Sequence, residues 1–332
     1  MTRYLVKRLL WALFVLSTVV STVFLLVHVA GDPAAVALGP RASAEARRDF
    51  RRIKGLDQPT LAQFGSYLGV SACVRRDSPD YRDGRGRCGL LQGSLGTSYT
   101  HREDVAAVIA HRMPRTLLLG VMAMLFELLF GISAGIVAAL RRNTWADTGI
   151  MVLTFAGISV PTFVTGPIAL FVLAFLLGWF PMGGYGVGFW DHVRHGLLPA
   201  MILAVGGAAT YARILRGELV ETLRMDYVRT ARAKGLAPRV VVVRHALRNA
   251  LIPIVTLLGL SLPGLVGGAI ITEKIFNWPG LGMLTIEAIN KLDVPIIMAT
   301  VLMFGVLVQL GNLLADVAVA ALDPRIRIGE RG

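Results

Sequence analysis

Residues Leu9–Ala30, with the sequence LLWALFVLSTVVSTVFLLVHVA, form an unbroken run of 22 residues without a formal charge. A bilayer core about 30 Å thick is crossed by about 20 apolar helical residues, so this segment is long enough to span a membrane. Arg3, Lys7 and Arg8 precede it, as they would in a secretory signal peptide. The run is nevertheless longer than the roughly 7–15 apolar residues of such a peptide. We therefore predict a retained first span rather than a cleaved leader.

A second long apolar region extends from 148 to 190 and contains 43 consecutive uncharged residues, too many for one straight span. Its prolines favour a kinked helix, followed by an apolar loop that begins near Gly178. These prolines are Pro161, Pro167 and Pro181.

Further apolar segments complete a set of six. They are Thr116–Leu140 with 25 residues, Gly196–Ala212 with 17, Ala250–Thr272 with 23 and Val294–Ala315 with 22. Unpaired backbone groups are costly in lipid, and hydropathy of this strength favours helices over a barrel. The sequence therefore predicts an all-α membrane protein with six transmembrane helices.

The composition supports this class. Of the 332 residues, 55% are hydrophobic and 17% are charged, whereas soluble domains carry about 25% charged residues. The mean hydropathy of +0.63 argues against a water-soluble enzyme. A net charge of +13 would suit nucleic-acid binding, but the basic residues alternate with long apolar runs, as in membrane proteins with basic flanks. Two cysteines are too few for a disulfide-dense scaffold or for a four-ligand zinc site built from cysteines.

The short loops predict that both termini are cytoplasmic, because lysine and arginine concentrate on that side of a membrane. With six spans, the basic regions all fall on one side: the N-terminus, the connection at Arg141 and Arg142, residues 216–248 and the C-terminal tail. Residues 216–248 alone hold eight basic and three acidic residues.

The long loop 31–113 is then predicted to lie outside as a small helical cap. Ser43–Lys54 has the pattern of a charged helix that is stopped by Gly55. Pro59 marks the start of a second helix, which runs to about Val70.

Both cysteines of the chain, Cys73 and Cys88, lie in this loop. An oxidising exterior permits a bridge, which would stabilise the loop by about 3 kcal/mol through chain entropy. We predict a disulfide, with two unrelated free thiols as the alternative.

Few motifs of catalysis or nucleotide binding occur in the sequence. No lysine follows a glycine, so the phosphate-binding GxxxxGK[ST] loop is missing, and no histidine begins an HExxH motif. Residues 131–135, Gly-Ile-Ser-Ala-Gly, formally match the GxSxG motif of serine hydrolases. That motif needs a strand–turn–helix, whereas here it lies in an apolar span, where small residues four apart favour close helix packing. Gly264 and Gly268 repeat the spacing.

Three polar side chains within the spans are candidates for bonding inside the bundle or for the transport pathway. Glu127 lies near the middle of the second span, where a bare carboxylate costs several kcal/mol, so a buried partner or a water-lined position is expected. Arg213 is a possible partner. Asn312 and Asp316 lie one turn apart near the end of the last span and face the same side. We interpret them as packing and capping groups first and as pathway residues second.

Residues 216–248 are too long for a turn and helical in composition. Ala231, Ala233 and Ala246 are strong helix formers, Gly235 interrupts them, and Pro253 closes the segment. We predict two short helices that meet at Gly235–Leu236 and project into the cytoplasm. Their small residues would let a partner protein approach the backbone, and a solvated basic loop is the alternative.

Residues 226–236, with the sequence DYVRTARAKGL, resemble the EAA loop of permease subunits of ATP-binding-cassette (ABC) importers. The form is that of the dipeptide/oligopeptide/nickel group. Ala231 and Gly235 match the pattern, Arg229 and Thr230 replace its first two residues, and Pro253 corresponds to its closing proline. Other stretches of the chain resemble the same group in the expected order, namely Gly31–Pro33, Gly55–Pro59, Gly93–Ser98, Thr272–Gly282 and Ala321–Ile326. The cysteine-bearing insert, roughly residues 72–90, is the main departure.

The resemblance implies a type I importer permease that pairs with a homologous second permease to form a twelve-span pore. Two ATPase subunits or domains would bind ATP and Mg²⁺ and drive transport, and an external binding protein would deliver the substrate. This chain would need no cofactor of its own, lie among membrane lipids and bind no nucleic acid. The contact with the ATPase would use Asp226, Tyr227, Arg229, Thr230, Ala231, Arg232, Ala233, Lys234, Gly235 and Leu236. Arg213 and Arg216 would anchor their helix at the lipid headgroups or join that contact.

We therefore expect four segments. Residues 1–30 are the N-terminal segment and first span, 31–113 the external cap, 114–320 the permease core with the coupling loop 216–250, and 321–332 the cytoplasmic tail. The expected function is ATP-driven import of peptides, with nickel or glutathione import in the same group as alternatives. An intramembrane serine hydrolase using Ser133 and a self-sufficient secondary transporter or channel are the competing classes.

Overall fold

A computed structural model of the protein describes residues 2–39, 41–70 and 88–322. Those residues form helices and connecting loops without a β-strand, apart from an isolated bridge between Thr97 and Asp104. The α-helices described are α1 (Thr2–Ala30), α2 (Pro33–Leu38), α3 (Ala44–Lys54), α4 (Thr60–Leu68), α5 (Val105–Leu140), α6 (Trp145–Ser159), α7 (Thr162–Ala169), α8 (Phe189–Thr222), α9 (Asp226–Ala233), α10 (Pro238–Val240), α11 (Arg248–Ala250), α12 (Ile252–Ile275), α13 (Leu281–Asn290) and α14 (Val294–Leu322). Two π-helical segments, Leu170–Leu176 and Val241–Leu247, and a 3₁₀ turn, Leu90–Gln92, complete the elements.

Within the described ranges, four helical segments are long and apolar enough to cross a membrane: Val6–Ala30, Val105–Leu140, Phe189–Thr222 and Val294–Leu314. The bent pair formed by α6 and α7 with its π-helical extension would make a fifth span. Helix α12 overlaps the predicted span Ala250–Thr272, but its side chains at 259–268 lie outside the described part of the chain. The helical fold is thus confirmed, and the number of six spans stays a prediction.

The uncharged run 148–190 is broken at a proline, as predicted. Helix α6 ends at Ser159, Val160 is extended, and Pro161 precedes α7. A residue before proline is disfavoured in the helical region, so the chain bends here, by 107° between the two parts. The loop predicted from Gly178 follows the π-helical segment.

Helix α8 is twice as long as the apolar segment that predicted it. The predicted span contains 17 residues, whereas α8 contains 34. The reason is that hydropathy detects only the apolar middle of a helix. Charged residues at both ends of α8, from Asp191 to Glu221, continue the helix beyond that middle.

The first of two compact units contains residues 1–8, 116–279 and 307–332. In this unit α5 packs on α8 through glycines. A Cβ added to Gly131 would lie 2.8 Å from the carbonyl oxygen of Ala208, and one added to Gly135 would lie 2.9 Å from the Cβ of Leu215. These distances are shorter than ordinary van der Waals contact, so the predicted close packing at 131–135 is confirmed. The environment of Gly264 and Gly268 lies outside the described residues.

The second unit contains residues 9–115 and 280–306. The Ser43 hydroxyl accepts a hydrogen bond of 3.1 Å from the amide of Ala46 and caps α3, which ends at the left-handed Gly55 with φ +70°. Helix α4 follows Pro59 and ends at Gly69. Both predicted cap helices are therefore confirmed, with α4 shorter by two residues than expected. The apolar core of this unit joins parts of α1, α5, α13 and α14.

Candidate functional site

Helix α9 lies at the end of α8 and is held by two buried side chains. Val228 is 0% and Ala231 5% exposed, three positions apart on one face of α9. They pack into a cluster with Leu215 and Leu219 of α8 and with Val241 and residues near it. We expected Ala231 to face a partner protein, but it faces the interior of this chain. Its small side chain instead lets α9 lie close to its own core.

The break between the two short helices falls at Gly235, as predicted. Gly235 has φ +77°, and its amide donates a 2.9 Å hydrogen bond to the carbonyl of Arg232. A Cβ at this position would meet nothing within 4 Å, so the glycine is needed for its left-handed backbone and not for packing within this chain. The space beside Gly235 is therefore open.

The solvent-exposed face of residues 224–240 carries both positively charged and apolar side chains. We call the exposed residues between 224 and 240 the coupling surface. Tyr227 is 41% and Leu236 39% exposed. The Asn249 amide donates a 2.7 Å hydrogen bond to the Tyr227 hydroxyl, which fixes that ring. The charged residues of the surface are Arg224, Asp226, Arg229, Arg232, Lys234 and Arg239.

Other predicted members of the set share this surface. Asp226, Arg229, Thr230, Arg232, Ala233 and Lys234 are all exposed. Arg229 and Asp226 lie 3.6 Å apart across one helical turn, a weak pair because both side chains are in solvent. The surface therefore presents several solvent-exposed cations.

Arg216 has a different role from the one expected. Instead of reaching lipid headgroups, its guanidinium forms a two-pronged ion pair with Asp147, with 2.5 and 2.6 Å separations. The Asp147 carboxylate also accepts a 2.9 Å hydrogen bond from the amide of Asn143. This buried carboxylate ties the start of α6 to α8, just before α8 reaches α9. Arg213 is exposed.

Glu127 is buried in the first unit with 3% exposure, as its position in the span predicts. Its carboxyl group fits against α8 because residue 207 is glycine, and a Cβ there would overlap it. Within the described residues its Oε2 atom has no hydrogen-bond partner, and Glu127 and Arg213 form no ion pair. The suggested pairing with Arg213 is therefore wrong, and the carboxyl group lies against Gly207 of α8 instead.

Asp316 lies 2.6 Å from the Arg8 guanidinium, which joins the end of α14 to the start of α1. This contact agrees with the interpretation of Asp316 as a packing and capping group. Asn312 lies one turn earlier and is half-buried.

Two polar contacts were missed by the sequence analysis. The buried Thr116 hydroxyl donates a 2.6 Å hydrogen bond to Glu273 within the first unit. In the second unit, buried Asp293 accepts bonds from the Ser98 hydroxyl at 2.6 Å and the Thr100 amide at 2.9 Å. Ser98 and Glu273 lie in the stretches 93–98 and 272–282, which resemble the importer permeases. The resemblance thus pointed to these two residues but did not indicate their partners, Asp293 and Thr116.

The remaining predicted sites are the serine-hydrolase motif and the disulfide, and the structure describes only the first in full. Ser133 lies in the middle of α5, and the strand–turn–helix that a serine hydrolase needs is missing there. Cys73 lies outside the described residues, so the disulfide with Cys88 stays a prediction. Among the described residues, no group of three or more His, Cys, Asp or Glu side chains could hold a metal ion.

Apolar helices that are long enough to cross a membrane define an integral membrane protein, and an exposed basic surface lies at the end of its helix α8. Residues 131–328 match the family described as binding-protein-dependent transport system inner membrane component, and residues 1–120 match the N-terminal region of such components. The chain belongs to this family. It is a multi-pass inner-membrane permease subunit of an ABC importer and not itself an enzyme.

Similar proteins support this family assignment, and a solved structure supports the fold. The chain is 40% identical over 328 residues to the glutathione transport system permease protein GsiC of Escherichia coli K12, covering 98% of this chain and 99% of the relative. The GsiC protein of Salmonella choleraesuis gives the same identity and coverage. An inward-facing structure of the MetNI methionine ABC transporter matches with a TM-score of 0.55 and 18% identity, over 66% of this chain and 97% of that one. The last likeness is one of fold.

Proposed function

We propose that this permease forms half of the pore of an importer for short peptides, and that ATPase subunits move it through the coupling surface. The proposal is carried by one observation: α9 is anchored to α8 by Val228 and Ala231 while its other face is exposed, basic and apolar. A partner bound to that face would move α9 and α8 together.

The proposed partner is a nucleotide-driven protein of the importer, since this chain has no phosphate-binding GxxxxGK[ST] loop of its own. Its docking groove should be acidic and should contain an apolar pocket for Leu236 and Tyr227, since complementary charge guides association. Binding shifts a conformational equilibrium only if the partner prefers one arrangement of the permease, so the ATP-bound state must prefer one. The spans would then rock between inward- and outward-facing arrangements.

The peptide class is supported by the relatives and by the sequence stretches of the dipeptide/oligopeptide group. The GsiC relative of Escherichia coli carries the name of a glutathione transport permease, and glutathione is itself a tripeptide. Import of glutathione is thus the second candidate and lies within the same chemical class. A homologous permease, two ATPases with ATP and Mg²⁺, and an external binding protein complete the proposed assembly.

The coupling step is tested by Gly235→Trp in the assembled importer. The side chain would fill the open space beside α9 that a partner would occupy, so we expect assembly of the two permeases but loss of uptake and of substrate-stimulated ATPase activity. Gly235→Asn is the matched control, because asparagine tolerates the left-handed backbone and is small. Uptake at the wild-type rate in Gly235→Trp would remove this surface from the mechanism.

We also propose the disulfide between Cys73 and Cys88 on the outer side of the membrane. A thiol reagent applied without reductant should label neither cysteine, and after reduction it should label both. Labelling of both without reductant would show that the two thiols are free.

A further inference from the structure

The second unit contains a half-open cavity of about 550 Å³, which nothing in the coupling mechanism uses. Ligand pockets for small molecules commonly have volumes of about 300–1,000 Å³, with apolar walls and a few fixed polar groups. We call this space the cap cavity. Its walls come from the end of α1, from α3 and α4, from residues 88–99 and from the start of α14. It therefore has the size and the setting of a binding site.

One wall of the cap cavity is polar and held in place. The ring Nε2 of His28 lies 2.9 Å from Oε1 of Gln63. The Gln63 amide nitrogen donates to the carbonyl oxygens of Gln58 at 2.8 Å and Leu56 at 3.3 Å. Because these bonds fix the side chains before a ligand arrives, little ordering remains to be done on binding.

The charges of the cavity occur in equal number. Asp32 and Asp57 are acidic, and Arg51 and Lys54 are basic. Asp32 is already engaged, since it caps α2 and is paired with Arg51. Asp57, in contrast, forms no hydrogen bond or ion pair with any residue in the described part of the chain. The Lys54 ammonium lies 5.3 Å from the ring centre of Tyr99.

Apolar side chains also line the cavity, among them Phe24, Leu95, Val294 and Met298. Tyr67 also lines the cavity, and its buried hydroxyl has no hydrogen-bond partner among the described residues. A pocket with an acceptor for an amine, a cation for a carboxylate and an apolar wall for a side chain matches a short peptide in its zwitterionic form.

We propose that the cap cavity binds zwitterionic short peptides, with Asp57 receiving the amino group and Lys54 the carboxylate. It would be a receiving site, on the outer side of the membrane, for peptide that the binding protein delivers. This inference rests on the proposed function for the peptide class and for the side of the membrane.

The test measures peptide binding to the purified importer, both permeases and both ATPases, without its binding protein. The probe is radiolabelled L-alanyl-L-phenylalanine in equilibrium dialysis, compared with its N-acetylated and its C-terminally amidated forms. We expect saturable binding of the zwitterion and about tenfold weaker binding of each blocked form, since each loses a hydrogen bond to a charged group.

Variants assign the two ends of the peptide. Asp57→Asn should weaken binding of the zwitterion about tenfold and leave binding of the acetylated form unchanged. Lys54→Gln should likewise weaken binding of the zwitterion about tenfold and leave binding of the amidated form unchanged. Asp49→Asn on α3 is the matched control, because it removes the same charge from an exposed position outside the cavity, and it should change nothing.

Absence of saturable binding to the wild-type complex would overturn the proposal, and so would equal affinity in Asp57→Asn, Lys54→Gln and wild type. Stimulation of the ATPase by loaded binding protein is measured on the same wild-type complex. If that stimulation is present while the cavity binds no peptide, the receiving site fails and the proposed function stands. If stimulation is missing altogether, the proposed function fails independently of the cavity.

Discussion

Among the ion pairs described in the first unit, the one between Asp147 and Arg216 has the most deeply buried partner, Asp147. The Asp147 side chain is 4% and the Arg216 side chain 29% exposed, so removing the carboxylate leaves an unpaired guanidinium that water reaches only in part. Asp147→Asn should therefore destabilise the permease by about 2–4 kcal/mol, at the lower side of buried pairs because Arg216 is partly hydrated. Thermal unfolding of the purified complex measures this loss.

One further variant, with the two charges exchanged, makes that measurement decisive. The exchanged pair, Asp147→Arg combined with Arg216→Asp, should recover part of the lost stability, since the attraction is restored. An Asp147→Asn complex that unfolds at the wild-type temperature would show that the contact contributes little.

Single-residue roles were predictable only where the cause is local. The burial of Glu127 followed from its place in an apolar span, and the role of Gly235 followed from its place between two helix-forming stretches. The partners of Asp147 and Asp293 lie 69 and 195 residues away, so no pattern in the sequence indicates them. The misassigned role of Arg216 has the same origin, because a basic residue at a span end fits headgroups or an ion pair equally well.

Among the elements, α5 and α8 depend on glycine for their close contact, and α5 itself provides the comparison. Gly131→Leu would place a side chain against the backbone of α8, whereas a Cβ at Gly120 would meet nothing within 4 Å. We expect Gly131→Leu to cost about 1–3 kcal/mol or to prevent folding, and Gly120→Leu to be tolerated. The yield and thermal stability of the detergent-purified complex measure both. Equal stability of the two variants would contradict the packing.

The ion pair between Asp32, which caps α2, and Arg51 of α3 should make the local stability of this contact depend on pH. The Arg51 guanidinium beside Asp32 holds the pKa of that carboxyl below its usual range, with partial burial opposing and the amide of Ala34 adding to the effect. A lowered pKa stabilises the folded contact above the unfolded value of about 3.9, and this contribution disappears as pH falls through the folded value. Protection of α3 amides in hydrogen exchange, corrected for intrinsic rates, should thus be constant from about pH 5 to 8 and decrease below about pH 4.

The variant Asp32→Asn separates this pair from other acid effects. It should show reduced protection already at neutral pH and a smaller change on acidification. Protection that decreases equally in wild type and variant would assign the acid effect to other carboxyl groups.

Helix boundaries were predicted best where the sequence contains recognisable capping residues. Ser43 and Gly55 bound α3, and Pro59 precedes α4, as expected from their capping preferences. Helix α8 was underestimated because its ends are charged, and hydropathy reports solvation by lipid rather than helix formation. The bend at Pro161 was predicted, but its size of 107° depends on packing against other elements.

At the scale of the whole molecule, the number of spans decides where the termini lie. Between Leu236 and the C-terminus the prediction places two spans, α12 and α14, which would return the chain to the side of α9. The 24-residue length of α12 and its glycines at 264 and 268 suit a membrane span. The basic residues of 216–248 and of the C-terminal tail then lie on the same side of the membrane, as the distribution of lysine and arginine predicts. If α12 did not cross the membrane, the C-terminus and the coupling surface would lie on opposite sides.

Reporter fusions in a bacterial host measure this parity directly. Green fluorescent protein placed after Leu236 and after Gly332 should fluoresce in both cases, because it folds on the cytoplasmic side. Alkaline phosphatase placed after Gln58 should be active, because it folds on the outer side. Fluorescence after Leu236 but not after Gly332 would leave one span in that interval. Activity of the phosphatase after Leu236 would place the coupling surface outside, where no ATPase could reach it.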